Sequence, residues 1–395
     1  MKTVLGGNSR IHIGDHMTLL VPKRITTRKV TPFVRRERGL AKRLERYIRH
    51  KIRSQPTSRD NEENAAGWES RVTNFFIRKP LQIGKAVAIY AHFNPAATVS
   101  RMVVEQLRAL NDQGFEVIFV TMSPVSQESV RNIEGFVSIG FERRSFGRDL
   151  GAWKDAWTQC QTELLAAPEI LLTNDSILGP VRPFPPILAA LRTVDHGVLG
   201  LTDSPDHVPH LQSYFLLFRG RNAILSLDAF FEQLRCSFSK KVMIERGELA
   251  LSTFLVGKRV PLYTLFSYDE LEADYLNNRD RLRELLASSP HLLKDLSQNE
   301  EKLLFADDVT GGGAGFSWIR MRMKARFWGT AFNPTHYFWR HLVLGHGFPF
   351  IKTELVTSNP SYVFDAADWR DVICDGSPVS IQDIEDHINL VVSGS

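Results

Sequence analysis

Four short clusters in this sequence carry side chains suited to chemistry on a charged, oxygen-rich ligand. The first is Asn174-Asp175-Ser176, which directly follows the apolar run Ile170 to Thr173 and precedes Gly179-Pro180. A carboxylate at the end of a buried strand suits a hard cation such as Mg²⁺ or Mn²⁺, which takes one or two carboxylates plus phosphate oxygens. The same tripeptide is also an ordinary Asx-turn pattern. The second cluster is Gly147-Arg148-Asp149-Leu150-Gly151-Ala152-Trp153-Lys154. Its glycines allow close backbone approach where a helix begins, and free amides there favour phosphate. Arg148 and Lys154 add positive charge, while Asp149 fits either a helix cap or a ribose contact. The third, His210 to Phe215, sets His210 and Gln212 just ahead of an apolar strand. The fourth, Glu245 to Ser252, offers Glu248 as a carboxylate able to take a proton from an acceptor hydroxyl, or as a solvated surface glutamate.

The elements around these clusters imply an α/β fold. Apolar strands are expected at Ala86–Ala91, Val117–Val120, Phe136–Phe141, Ile170–Thr173, Val198–Leu201 and Tyr214–Phe218. Amphipathic helices are expected between them, over Thr98–Asp112 and Leu150–Leu165, with a charged helix later at Leu271–Leu286. Strands alternating with such helices make a mostly parallel, Rossmann-like sheet covered on both faces. Ligands bind such sheets at the carboxyl ends of the strands. Both His92-Phe93-Asn94 and Asn174-Asp175-Ser176 fall there.

Charge is unevenly spread along the 395 residues. Between Lys23 and Arg53 stand thirteen Lys and Arg against Glu37 and Glu45, so the net charge of +5 conceals a mildly acidic remainder. Within that segment Leu40, Leu44, Tyr47, Ile48 and Ile52 lie at helical spacing among cations. The pattern suits an interfacial helix on an anionic membrane, or a helix packed on the domain with solvated charges. Nucleic-acid motifs and aromatic stacking platforms are absent, which argues against a nucleic-acid partner. Residues 56–80 read as a polar linker, 81–270 as the ligand-binding core, 271–365 as a helical part that completes the site, and 366–395 as a C-terminal tail. Three isolated cysteines argue against a disulfide framework, and no run approaches the length of a membrane span. Gly311-Gly312-Gly313-Ala314-Gly315 is followed by Phe316-Ser317-Trp318 rather than Lys-Ser/Thr, so a mobile loop is expected instead of a phosphate loop. His336, His341 and His346 recur every five residues, about 140° apart on a helix, which predicts that they do not converge on a metal.

Taken in order, Ala88 to Phe93, Gly147 to Lys154, Leu171 to Pro180, His210 to Phe218, Glu248 to Ser252 and a late block from Asn333 to Pro360 resemble the rhamnan synthesis protein F family of bacterial polysaccharide glycosyltransferases. That resemblance, over roughly residues 85–360, implies a GT-A fold and sugar transfer, with inversion, from a nucleoside diphosphate donor to a glycan or lipid-linked glycan. Rhamnose is the sugar it suggests. It implies Asp175 as the metal-binding acid, with Mg²⁺ or Mn²⁺ as cofactor, and Glu248 as base. His92, Arg148, Asp149, Lys154, Asn174, Ser176 and Lys352 would meet the donor, and His210 and Gln212 the acceptor. It places the chain in the cytoplasm, peripheral on the inner membrane face through Lys23–Arg53. Two departures stand out: Ser145 where relatives usually carry Asn, and one carboxylate at 174–176 where many GT-A enzymes offer two. They leave open a catalytically degenerate assembly partner as the alternative; a nucleotidyl- or phosphotransferase lacks its Gly-rich, Lys-bearing loop.

Overall fold

The computed structural model describes residues 10–12, 18–20, 29–32, 57–206, 208–295, 297–298, 312–329 and 332–393. In chain order the elements that build the site begin with helix α1 (Ser58–Ala65), strand β1 (Val72–Arg78), strand β2 (Ala86–His92), helix α2 (Arg101–Asp112), strand β3 (Phe115–Thr121) and strand β4 (Val137–Arg143). Helix α3 (Arg148–Gln159), strand β5 (Glu169–Asn174), the short strand β6 (Ile177–Leu178), strand β7 (Gly197–Ser204), strand β8 (Phe215–Arg219) and helix α4 (Arg221–Gln233) follow. Then come strand β9 (Leu262–Phe266), helices α5 (Tyr268–Leu276), α6 (Arg279–Ser288), α7 (Gly312–Gly329) and α8 (Trp339–His346), strand β10 (Ile351–Lys352) and helix α9 (Ile381–Ser393).

The main sheet has ten strands. Its order is residues 31–32, β9, β7, β8, β5, β2, β3, β4, β1, and His210–Leu211 pairs with the end of β7. Strands β5, β2, β3 and β4 run parallel to one another, and β7 runs parallel to β9. Between the two parallel groups β8 is antiparallel to both its neighbours. This is an α/β architecture, parallel in its centre and covered by helices on both faces. The antiparallel insertion matters for the site. Because β8 runs backwards, the residues leading into it, Ser213 and Tyr214, stand at the edge where β5 and β2 end.

Period-two alternation divides the strand side chains between two cores. On β2, Ala88 and Tyr90 join the core under α2, whereas Val87, Ile89 and Ala91 join the one under α3 and α4. Helix α2 starts where Ser100 accepts the Val103 amide, and its face of Met102, Val103, Leu107 and Leu110 is buried as the spacing required. Helix α3 packs Trp153 and Trp157 inward.

Several expectations are corrected. The stretch 56–80 is not a linker. It forms α1, capped reciprocally by Thr57 and Asp60, and the edge strand β1. Arg71 beside β1 donates from Nε and Nη2 to the two Asp155 oxygens on α3 at 2.9 and 2.6 Å, and Arg143 Nε adds a third bond at 2.8 Å. The C-terminal residues are not a tail: α9 buries Ile384 and His387 against α2, with His387 Nδ1 2.8 Å from Ser100 Oγ. Part of the glycine-rich segment expected as a loop, from Gly312 on, is the start of α7. The helix expected over Leu150–Leu165 breaks at Cys160, and that over Leu271–Leu286 breaks between Leu276 and Arg279. Of the basic segment Lys23–Arg53, only residues 29–32 are described, and Thr31–Pro32 pairs with β9 at the sheet edge. The amphipathic stretch Leu40–Ile52 lies outside the described residues.

Candidate functional site

The site sits at the carboxyl edge of β2 and β5, where Ala91 and Asn174 are register partners. Asp175, half-buried, follows β5 and accepts the Phe93 amide on Oδ2 at 2.8 Å. Asn174 is held from both sides. Its Nδ2 donates to Asp149 Oδ2 at 2.6 Å, and its Oδ1 accepts from the Ser176 amide and hydroxyl at 3.2 and 2.6 Å. A carboxylate from the start of α3 is thereby tied to the end of β5.

Three glycines make this approach of α3 feasible. Gly147, at φ 76°, caps α3, and a Cβ there would lie 2.7 Å from Cys236 Sγ. At Gly151 a Cβ would stand 2.1 Å from the Phe146 carbonyl oxygen, and at Gly247 1.9 Å from Leu150 Cδ1. Gly247 belongs to a π-helical turn over Ile244–Leu249, a form that recurs at functional sites. The turn brings Glu248 beneath the antiparallel strand, where its Oε1 accepts the Ser213 amide at 3.1 Å. His210 Nε2 lies 3.9 Å from the same oxygen.

From the far end of the chain, β10 pairs antiparallel with β6 and brings Lys352 opposite Ile177. Lys352 Nζ donates to Ser176 Oγ at 2.9 Å and lies 4.6 Å from the centre of the Tyr214 ring. Tyr214 is itself positioned by the Thr202 hydroxyl, 2.6 Å from its own.

The electrostatics of this cluster are those of a site prepared for a cation. Desolvation, and then the nearby Asp149 charge, push the Asp175 carboxyl up to about 8. Asp149 is also raised, chiefly by desolvation, against the lowering pull of Asn174 and Lys352. Desolvation lowers Lys352, opposed by Glu354, Glu248 and Asp149. Two carboxylates raised chiefly by desolvation at one strand edge offer two hard oxygen donors, the set that Mg²⁺ or Mn²⁺ uses alongside phosphate. The residues present therefore fit the expected divalent ion. The second carboxylate at this edge is Asp149, twenty-five residues before Asn174 in sequence and hydrogen-bonded to it.

Of the residues singled out in the sequence, Asp149, Asn174, Asp175, Ser176, Glu248 and Lys352 are thus gathered at one edge. Arg148 is exposed beside them at the head of α3. His210 and Gln212 are buried behind Glu248, where Gln212 accepts from Thr202 at 2.7 Å and donates to Asn333 at 3.2 Å. Two expectations are corrected. His92 is buried rather than turned to the edge, because its Nδ1 pairs with Thr121 Oγ1 at 3.0 Å and its ring packs on Phe119. Burial pulls that imidazole down to about 3, so it stays neutral. Lys154 reaches the Leu234 carbonyl at the end of α4, at 2.7 Å, and so closes a helix terminus. Tyr214, Asn333 and Thr353 hold the site residues in place, yet their side chains carry no sequence signal that separates them from structural polar groups. Thr353 does so through its amide on the Ser176 carbonyl at 3.0 Å.

Comparison with known proteins gives three kinds of match. Among solved structures, the bifunctional glycosyltransferase WbbM in its apo form aligns over 48% of this chain and 47% of its own, at 8% identity and a TM-score of 0.26. The mannosyltransferase PcManGT from Pyrobaculum calidifontis, solved with GDP-Man and Mn²⁺, aligns over 83% of this chain and 96% of its own, at 12% identity and a TM-score of 0.31. Among curated sequences, the virulence protein VirA of Vibrio anguillarum is 27% identical over 227 residues. That match covers 56% of this chain and 62% of VirA, less than two thirds of the relative's length. Residues 117–258, the stretch that carries Gly147, Asp149, Asp175 and Glu248, match the family of rhamnan synthesis protein F, the family that the sequence motifs resemble.

Proposed function

We propose that the chain is a glycosyltransferase of cell-surface polysaccharide synthesis, moving a sugar from a nucleoside diphosphate donor to a glycan or lipid-linked glycan. The observation that carries this reading is the meeting of Asp149 and Asp175, two raised carboxylates, beside Lys352 and Glu248 at the carboxyl edge of the sheet. A divalent cation held by Asp175 and Asp149 would neutralise charge on the departing diphosphate. Lys352, fixed by Ser176 and Tyr214, presents its ammonium to the same phosphates. Arg148 at the open head of α3 adds a second, solvent-facing cation.

Glu248 is the base. The acceptor hydroxyl gives its proton to the Glu248 carboxylate as its oxygen bonds to the anomeric carbon. The bond from that carbon to the diphosphate breaks, with inversion. The Ser213 amide holds one Glu248 oxygen and leaves the other for the proton. His210 and Gln212 back this carboxylate on the acceptor side. Rhamnose is the proposed sugar, and the inner face of the cytoplasmic membrane, reached through Lys23–Arg53, the proposed location.

The test is binding of a panel of nucleoside diphosphates and their sugars, with and without Mn²⁺, followed by transfer assays. Asp175→Ala should lose the metal-dependent binding. Glu248→Gln should keep donor binding and lose about 10²–10⁴-fold in kcat. Full transfer by Asp175→Ala, or no binding of any donor by the native chain, would overturn the assignment.

A further inference from the structure

A second cluster of ligating side chains lies outside the site described above. Asp274, in the last turns of α5, faces His341 and His346 of α8. Asp274 Oδ2 is 3.4 Å from His341 Nε2 and 3.0 Å from His346 Nε2, and one ligand atom from each residue lies within 4.8 Å of the other two. The two imidazole centres are 4.5 Å apart. The five-residue spacing predicted rings facing away from one another, and the structure overturns that expectation for this pair. Gly345 is the reason. A Cβ there would lie 2.4 Å from His341 Nδ1, so only glycine lets the His341 ring fold along the helix towards its C-terminal end. His346 is the last residue of α8, and Gly347, at φ 71°, turns the chain away after it. His336, by contrast, pairs with Glu354 and Ser361.

We propose that Asp274, His341 and His346 form a binding site for a transition-metal dication, with Zn²⁺ as the ion that best suits two imidazoles and a carboxylate. Tetrahedral zinc with ligands at about 2.0–2.1 Å separates its ligand atoms by about 3.4 Å. The separation from Asp274 to His341, 3.4 Å, matches that value before any adjustment, and the one to His346, 3.0 Å, is shorter. Hydrogen bonding to a carboxylate needs only one imidazole, whereas here two turn the same nitrogen towards one oxygen. Both rings must carry their proton on Nδ1 for Nε2 to ligate. The histidines are largely buried, while Asp274 is more open, and His341 also lines a surface cavity with Tyr275, Asn278, Arg281 and Arg340. Three protein ligands leave a fourth position for water. The site joins α5 to α8 just ahead of the segment that leads into β10 and Lys352, so a bound ion would fix the approach of that lysine. One group opposes it: Arg281 Nη1 stands 3.7 Å from the same Asp274 oxygen. Its removal should therefore strengthen metal binding.

The experiment is calorimetric titration of the full chain with ZnCl₂, repeated in an Asp175→Asn background so that the sheet-edge carboxylates cannot supply the signal. One zinc per chain is expected in both. His346→Gln and His341→Gln should weaken binding at least 100-fold, and Arg281→Gln should tighten it several-fold. Co²⁺ in place of zinc should give the intense visible absorption of a four-coordinate site, absent from His346→Gln. The proposal is overturned if zinc fails to bind, if its binding is lost in Asp175→Asn, or if both histidine variants keep native affinity. Tighter binding in Arg281→Gln guards the result against a histidine variant that misfolds. Loss of sugar transfer without loss of zinc binding would count against the proposed function alone.

Discussion

Asp175→Asn should make the metal-free protein more stable while removing its metal-dependent donor binding. The carboxyl titrates at about 8 in the fold, against an ordinary value of 3.8, because burial and the Asp149 charge both oppose ionisation. Below pH 3.8 the group is protonated in folded and unfolded chains alike, and it costs nothing. As pH rises from 3.8 towards 8 the unfolded chain has released the proton and the folded chain still holds it, so stability falls with pH. At about 1.4 kcal/mol per pH unit this penalty has a ceiling of about 6 kcal/mol above pH 8. Asp175 is only half-buried, and screening by water reduces the expected value to about 2 kcal/mol. Asparagine keeps an oxygen for the Phe93 amide and carries no charge, so it escapes the penalty.

The assay is thermal unfolding of the native chain and of Asp175→Asn across pH 5 to 8.5, without metal and then with Mn²⁺ and a nucleoside diphosphate. At about 2 cal/mol/K per residue, 2 kcal/mol corresponds to an advantage of about 2–3 °C for the variant near pH 8. That advantage should shrink towards pH 5. Metal and nucleotide should restore the native protein and leave the variant unchanged. A gap independent of pH, or a variant less stable than the native chain at pH 8, would refute the reasoning that burial and the Asp149 charge oppose ionisation of Asp175.

Three other outcomes follow from the geometry. Asp155→Ala strands the buried Arg71 and Arg143 guanidiniums and should cost about 3–5 kcal/mol in chemical denaturation; a loss under 1 kcal/mol would contradict the pairing. Burial lowers His387 to about 4, so the fold holds it neutral while the unfolded chain takes up a proton below about 6.5. Stability from this group is complete above pH 6.5 and is lost as pH falls towards 4, by about 2 kcal/mol at pH 5, and His387→Gln should remove that share of the acid sensitivity in denaturation curves at pH 7 and pH 5. Gly151→Ala sets a methyl against a backbone carbonyl and should destabilise by about 1–3 kcal/mol, whereas Gly135→Ala, which has open space, should not.

What the sequence made legible depended on whether burial left a periodic trace. The strands from Ala86 to Phe218 and helix α2 could be read because each buries a regular face. Strand β1 could not: its register slips between Val72 and Asn74 and again between Phe75 and Ile77, which destroys alternation. Helix α1 has no apolar face at all, and is held by polar contacts such as Asn64 Nδ2 on the Cys236 carbonyl, 172 residues away. The site shows the same division. Asp175 was visible because it ends an apolar strand, but Asp149 reaches the same strand end only through its hydrogen bond from Asn174, and Lys352 arrives by a strand pairing formed 176 residues later. The histidines give the converse lesson. Helical phase alone separates His341 from His346, and one missing Cβ, at Gly345, together with the helix end at Gly347, brings them back to a common carboxylate. Periodicity therefore reports which way a Cα–Cβ bond points, and an imidazole side chain with two rotatable bonds beside a glycine can defeat it.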